Sequence, residues 1–161
     1  IPRSGPDTPD PWVLGSSPSS AAIAGELGLP YCFAAFIRPQ FAVQSFETYR
    51  ERFRPSGLAG GVDEPRGIVA VNAVCAETDE EAGRLRAGGE GSYGVPEPTP
   101  ATVDAEEWPR AVSGSPETLA GLLEGLGERL DVDEAMIQHI VPDHDDGLRS
   151  HELLAEGVGL A

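Results

Sequence analysis

The run Ile68-Val69-Ala70-Val71-Asn72-Ala73-Val74-Cys75 is apolar at almost every position, so a strand built from it has no polar face to give to water. Its β-branched residues favour extended backbone. A strand covered on both faces needs packed layers above and below, and that requirement selects a parallel sheet with helical crossovers over hairpin-built all-β arrangements. A helix is expected straight after it. In Thr78-Asp79-Glu80-Glu81, Thr78 is placed to cap the N3 amide and Glu81 to reach back, opening a helix through Leu85.

The same alternation recurs along the chain. Trp12-Val13-Leu14 reads as a short buried strand, followed by a Ser/Pro turn and by Ala22, Ile23, Ala24 and Leu27 at helical spacing, with Gly28 closing that helix. Tyr31 to Ile37 is short and rich in aromatic residues, which reads as a second strand. From Ala42 to Phe53, the residues Ala42, Val43, Phe46, Tyr49 and Phe53 share one helical face, and Pro55 and Gly57 end it. Beyond the Ile68 strand and its helix, a Gly/Pro-rich stretch at about residues 88–110 is expected to be an extended, poorly packed loop. Ser115 as N-cap and Pro116 at N1 open a helix through Leu130. A fourth strand follows at Ala135–Val141, then the turn Pro142–Gly147 and a last helix from about Leu148 to Glu156. The expectation is an α/β fold with four parallel strands alternating with helices.

In such folds ligands collect at the C-terminal ends of the strands, and Gly15-Ser16-Ser17-Pro18-Ser19-Ser20 falls there. Backbone N–H groups and hydroxyls gather at a helix N-terminus, where an anion is favoured. Two roles stay open to this turn on local pattern: a plain helix cap or a phosphate cradle.

Several ordered blocks carry a resemblance. Trp12-Val13-Leu14-Gly15-Ser16-Ser17, Ala24-Gly25-Glu26-Leu27-Gly28-Leu29-Pro30-Tyr31, Tyr49-Arg50 with Phe53-Arg54-Pro55-Ser56, and Val74-Cys75-Ala76-Glu77-Thr78-Asp79-Glu80-Glu81-Ala82 together resemble the bacterial-luciferase-like flavin-dependent monooxygenases. Ser113-Gly114-Ser115-Pro116-Glu117 and Asp133-Glu134-Ala135-Met136-Ile137 look like that family's closing segment. The resemblance implies a TIM-type (β/α)8 barrel that binds reduced flavin mononucleotide (FMN) and activates dioxygen for oxidation of a small-molecule substrate, with a flavin reductase as an expected partner. It implies that the four strands are the fifth to eighth of that barrel. By position, Ser16, Ser17 and Ser20 would hold the flavin phosphate, with Gly15 letting the backbone come close. Ala34, Ala35 and Phe36 would lie near the isoalloxazine ring. Close relatives often have a His-rich segment at that place, and Phe36-Ile37-Arg38-Pro39 departs from it.

Length sets a bound on this picture. A complete barrel takes about 250 residues, and 200 is roughly the minimum; the chain has 161. Residues 1–161 are therefore expected to form one partial domain, the C-terminal half of a barrel. The start at Ile1, with no initiator Met and no signal-type run, reads as a truncation. Two unpaired edges and an apolar inner face would then call for a homodimer or a complementary N-terminal half. Two functional readings follow: a flavin-dependent oxidoreductase represented by its FMN-phosphate half, or a non-catalytic flavin- or phosphate-binding remnant.

Charge narrows the partners. There are 27 acidic residues against 11 basic ones, a net charge of −16, and every basic residue is Arg. This excess disfavours nucleic acid and anionic membranes and suggests the cytoplasm of a halophile, where salt screens self-repulsion. No run is apolar and long enough to span a bilayer. Cys32 and Cys75 fall within expected strands and read as buried thiols, with no metal site implied. Asp143, Asp145 and Asp146 lack the later ligands of a calcium loop, because Gly147 and Leu154 occupy positions that need oxygen donors. His139, His144 and His151 lack zinc spacing, and His139 reads as a hydrogen-bonded strand histidine.

Overall fold

The structure, a computed structural model, describes residues 9–89 and 102–160. In chain order the elements are β1 Val13–Gly15, α1 Pro18–Leu27, β2 Tyr31–Ala34, a 3-10 turn at Pro39–Phe41, α2 Ala42–Arg52, β3 Gly67–Cys75, α3 Asp79–Gly89, β4 Ala111–Gly114, α4 Pro116–Leu130, β5 Glu134–His139 and α5 His144–Gly157. All strand pairs are parallel.

The strand that most constrained the sequence organises the sheet. β3 pairs with β2 along Gly67–Ala70, with β5 along Ile68–Ala73 and with β4 along Asn72–Cys75. Residues Ile68–Ala70 register with both β2 and β5, so these lie on opposite edges; Asn72 and Ala73 likewise register with both β4 and β5. β2 and β4 therefore share one edge of β3 in succession, and the main sheet runs β1-β2-β3-β5. These four are the strands expected from sequence. β4 is a fifth, where four were expected: Ala-Val-Ser-Gly is too short and too small to announce itself, and it pairs because β3 outruns β2 and leaves a free edge from Asn72 onward.

Alternation along the strands divides the sheet into two faces. Val13, Tyr31, Phe33, Val69, Val71, Ala73, Cys75 and Ile137 pack into one core with Ala21, Ala24, Phe46, Tyr49, Leu119, Leu122, Leu126, Leu130, Leu153 and Leu154 from the helices. The other face carries Leu14, Cys32, Ala34, Ile68, Ala70, Asn72, Val74, Met136 and Gln138. At the outermost strands this face is open: Leu14 is 62% and Met136 54% exposed. Among the described residues, the outer edges of β1 and β5 have no strand partner.

Local chemistry sets the element ends. Gly28 closes α1 at φ 62°, a conformation that only glycine adopts without strain. Ser115 caps α4, its Oγ accepting the Thr118 N–H at 3.4 Å. Thr78 Oγ1 accepts the Glu81 N–H at 3.2 Å. Arg50 donates to the Leu130 and Asp131 carbonyls at the end of α4, tying it to α2.

Three other expectations are corrected. The second strand stops at Ala34 rather than Ile37, because the chain turns there; the Ile37 N–H returns to the Ala34 carbonyl at 3.1 Å. The last strand ends at His139 and the last helix begins at His144, since Asp143 caps it by accepting the Asp145 and Asp146 N–H groups; two acids in the first turn suit the helix dipole. Within the expected loop, α3 continues to Gly89, and Ala105 and Trp108 are buried in the core; its remaining part, 90–101, lies outside the described residues.

Candidate functional site

The turn from β1 into α1 is built by hydroxyls. Ser17 is the N-cap in extended conformation, its Oγ 3.5 Å from the Ser20 amide, and Pro18 opens the first turn. The Ser17 carbonyl accepts the Ala21 N–H at 3.2 Å, the Ser20 hydroxyl at 2.7 Å and the Tyr31 hydroxyl at 3.4 Å. Ser20 Oγ also lies 3.2 Å from Tyr31 Oη. Burial raises the Tyr31 pKa, outweighing the hydrogen bond with Ser20 that lowers it, so the phenol keeps its proton and stays a donor.

These contacts separate the sequence-selected serines. Ser17 and Ser20 are engaged in shaping the turn, whereas the Ser16 hydroxyl has no partner among the described residues. Gly15 is required sterically: a Cβ there would sit 2.0 Å from Ser20 Oγ and 2.3 Å from Ser20 Cβ. First-turn N–H groups of a helix have no intrahelical acceptor, and α1 has no acidic residue in its first turn to oppose an anion. Tyr31, which fixes this turn from the next strand, was not singled out from sequence; its place in an aromatic strand gave only a core signal.

The neighbouring turn adjoins it. Gly15 registers with Phe33, so Ala34, Ala35 and Phe36 follow directly at the same end of the sheet. Ala34 is buried on the face away from the helices, Ala35 is buried against the core, and Phe36 is half-buried. The structure thus places both sequence-selected groups at the C-terminal ends of adjacent parallel strands.

Further along the helix-free face, Asn72 is 4% exposed and its Oδ1 has no hydrogen-bond partner. It registers with Gln138 of β5, so two carboxamides project from one face at the same level. Behind the sheet, Ser150 is fully buried; its Oγ accepts the Cys75 N–H at 2.7 Å and lies 2.5 Å from His139 Nδ1. The His139 and His151 ring centroids are 3.7 Å apart. Burial, then the nearby His151 charge, lowers the His139 pKa to about 4. His139 is thus a hydrogen-bonded strand histidine on the helix-facing side. Cys32 and Cys75 are both buried free thiols, and burial with Glu77 close by pushes Cys75 up to about 11.

A groove of about 400 Å³ lies elsewhere, lined by Val69, Glu124, Glu128, Asp131, Asp133 and Glu134 among others. It sits toward the N-terminal ends of the strands and its acidic lining does not suit a phosphate. Among the described residues no group of three or more His, Cys, Asp or Glu side chains could hold a metal ion. None of the described helices is long and apolar enough to cross a membrane.

A parallel sheet with helical crossovers and a hydroxyl-rich helix N-terminus at the C-terminal ends of its strands defines the ligand-binding α/β class. More narrowly, the chain belongs to the luciferase-like monooxygenase family, whose family model matches residues 1–135. It is 33% identical to the uncharacterized protein YvbT of Bacillus subtilis (strain 168), an alignment covering 97% of this chain and 51% of that protein. The crystal structure of apo-MsnO8 superposes with a TM-score of 0.79 at 36% identity, covering 98% of this chain and 53% of that one. A riboflavin lyase, RcaE, solved with modified FMN and substrate riboflavin, shares the fold at a TM-score of 0.59 and 18% identity, over 96% of this chain and 44% of that one. The chain spans about half the length of the relatives it matches.

Proposed function

We propose that this protein is the FMN-phosphate-binding half of a flavin-dependent oxidoreductase of the luciferase-like type. The observation that carries the reading is the Gly15–Ser20 turn: a position that only glycine fits, a Ser16 hydroxyl unengaged among the described residues and a helix whose first turn holds no carboxylate, in one place. Those features fit a phosphate monoester. Ser16 and the Ser19 amide would bind it directly, Ser17 and Ser20 would hold the turn in shape, and Ala34, Ala35 and Phe36 would border the ring. Bound reduced FMN would supply the electrons with which dioxygen is activated to oxidise a small organic substrate. The chain's own part is to orient the cofactor and keep water from it.

Completing such a site needs the other half of a barrel. The exposed Leu14 and Met136 and the free edges of β1 and β5 support closure by a complementary half or by a second copy of this chain. A flavin reductase is the partner such chemistry would draw on. The acidic composition supports a cytoplasmic setting of high salt.

Flavin fluorescence quenching in molar salt tests the reading. FMN should bind more tightly than riboflavin, and Ser16→Leu together with Ser17→Leu should weaken FMN at least tenfold, about 1.4 kcal/mol, while sparing riboflavin. Absence of FMN binding, or binding indifferent to those changes, refutes it. A second reading is a flavin-binding module without catalysis. FMN binding with no oxygen consumption when a reductase supplies reduced flavin, even with a complementary half present, favours that module.

A further inference from the structure

We propose that Asn72 is a ligand-reading residue: its carboxamide, on the helix-free face of the sheet, takes a hydrogen-bond donor of the bound ligand, namely the N3–H edge of the isoalloxazine ring. This rests on the flavin reading above. Asn72 lies in the middle of the strand that is buried on both faces, is 4% exposed, and has an Oδ1 without a partner among the described residues.

Burying a polar atom unpaired costs stability, and the surroundings give no structural return for that cost. Around it the same face carries Cys32, Ala34, Ala70 and Val74, all buried, and the buried Ser113 of β4 in register with Val74. An apolar side chain there would leave no polar atom unpaired. The amide has one polar neighbour at its own level, Gln138, which stands in register on β5 and is exposed. Two carboxamides side by side offer acceptors and donors together, which suits the alternating carbonyl and N–H groups of a flavin's pyrimidine edge and not a phosphate or a hydrocarbon.

The placement agrees with one ligand reaching both ends. Gly15 registers with Phe33 and Phe33 with Val69, so Asn72 stands two strands across from Gly15 and three residues nearer the C-terminal ends. Strand spacing and rise put the two Cα positions about 14 Å apart, comparable with the reach from the phosphate to the far ring edge of an extended FMN.

The experiment measures riboflavin and 3-methylriboflavin affinity by fluorescence quenching, with the melting temperature of the ligand-free protein, for the wild type and Asn72→Leu. Riboflavin avoids the phosphate contact and 3-methylriboflavin lacks the N3–H donor. The wild type should bind riboflavin about tenfold more tightly than its 3-methyl derivative, the worth of one buried hydrogen bond. Asn72→Leu should lose that preference and melt about 2–4 °C higher. Asn72→Ala should lose the preference too, which keeps the test open if leucine does not fit. Equal wild-type affinity for the two flavins, or a preference that survives both substitutions, overturns the proposal. A wild type that binds FMN yet lacks the preference sinks only the role of Asn72. A wild type that binds no flavin removes the flavin reading and this inference with it.

Discussion

Acidification should loosen this protein through one histidine before its carboxylates titrate. His139 is held neutral by burial and by His151, its pKa lowered from 6.5 to about 4. Between those values the unfolded chain binds a proton at His139 that the folded chain does not, so stability falls as pH drops through that window. The contribution is fully present above 6.5 and is spent by about 4. At 1.36 kcal/mol per pKa unit the whole difference amounts to ~3 kcal/mol. The ring is only partly out of water, and solvent screening reduces this to roughly 1.5 kcal/mol. The geometry explains why the proton is unwelcome: His139 Nδ1 sits 2.5 Å from Ser150 Oγ, which already accepts the Cys75 N–H. Neutral imidazole can take the Ser150 proton, whereas imidazolium offers no lone pair, so the Ser150 O–H loses its acceptor and α5 is less well joined to β3 and β5. Urea unfolding of the wild type and His139→Asn at pH 7.5, 6, 5 and 4, in constant salt, isolates this group, because the acidic residues titrate in both proteins. The stability difference between the two should shrink by about 1–2 kcal/mol from pH 7.5 to 4. A difference that does not change with pH, or an NMR titration placing His139 above 6, would refute the reasoning.

Gly15→Ala should destabilise by about 1–3 kcal/mol, as overpacking does, because the new methyl meets Ser20 at 2.0–2.3 Å; chemical denaturation checks this, and an unchanged midpoint would show that the turn yields freely. Cys32 and Cys75 are buried with raised pKa values, Cys75 to about 11, so a thiol reagent at pH 7.5 should label neither in the folded state and both in urea. Rapid labelling of the native protein would contradict their placement. With −16 net charge, circular dichroism and melting temperature should both fall as salt goes from molar to millimolar; unchanged spectra would remove self-repulsion as a factor.

Much of the candidate site was legible because its cues are local. The Gly-Ser-Ser-Pro turn, the caps at Ser17, Thr78 and Ser115, and Gly28 at positive φ follow from contacts within a few residues. Tyr31 was invisible as a site residue: its hydroxyl meets Ser17 and Ser20 only once β1 and β2 are paired. Trp108 and Ala105 lie in a Gly/Pro-rich stretch whose composition suggests exposure, yet the core takes them in.

The sequence by itself determined the parallel α/β architecture, since a run apolar at seven of its eight positions from Ile68 to Cys75 must be covered on both faces, and hydrophobic periodicity and helix caps act over short range. Tertiary structure alone decided that β2 and β4 share one edge of β3, that Ser150 joins Cys75 to His139, and that Asn72 is buried with an unpaired oxygen. Each of these depends on which residues meet across strands and helices far apart in the chain. Strand register and packing fix such meetings, and neither is written in any local pattern.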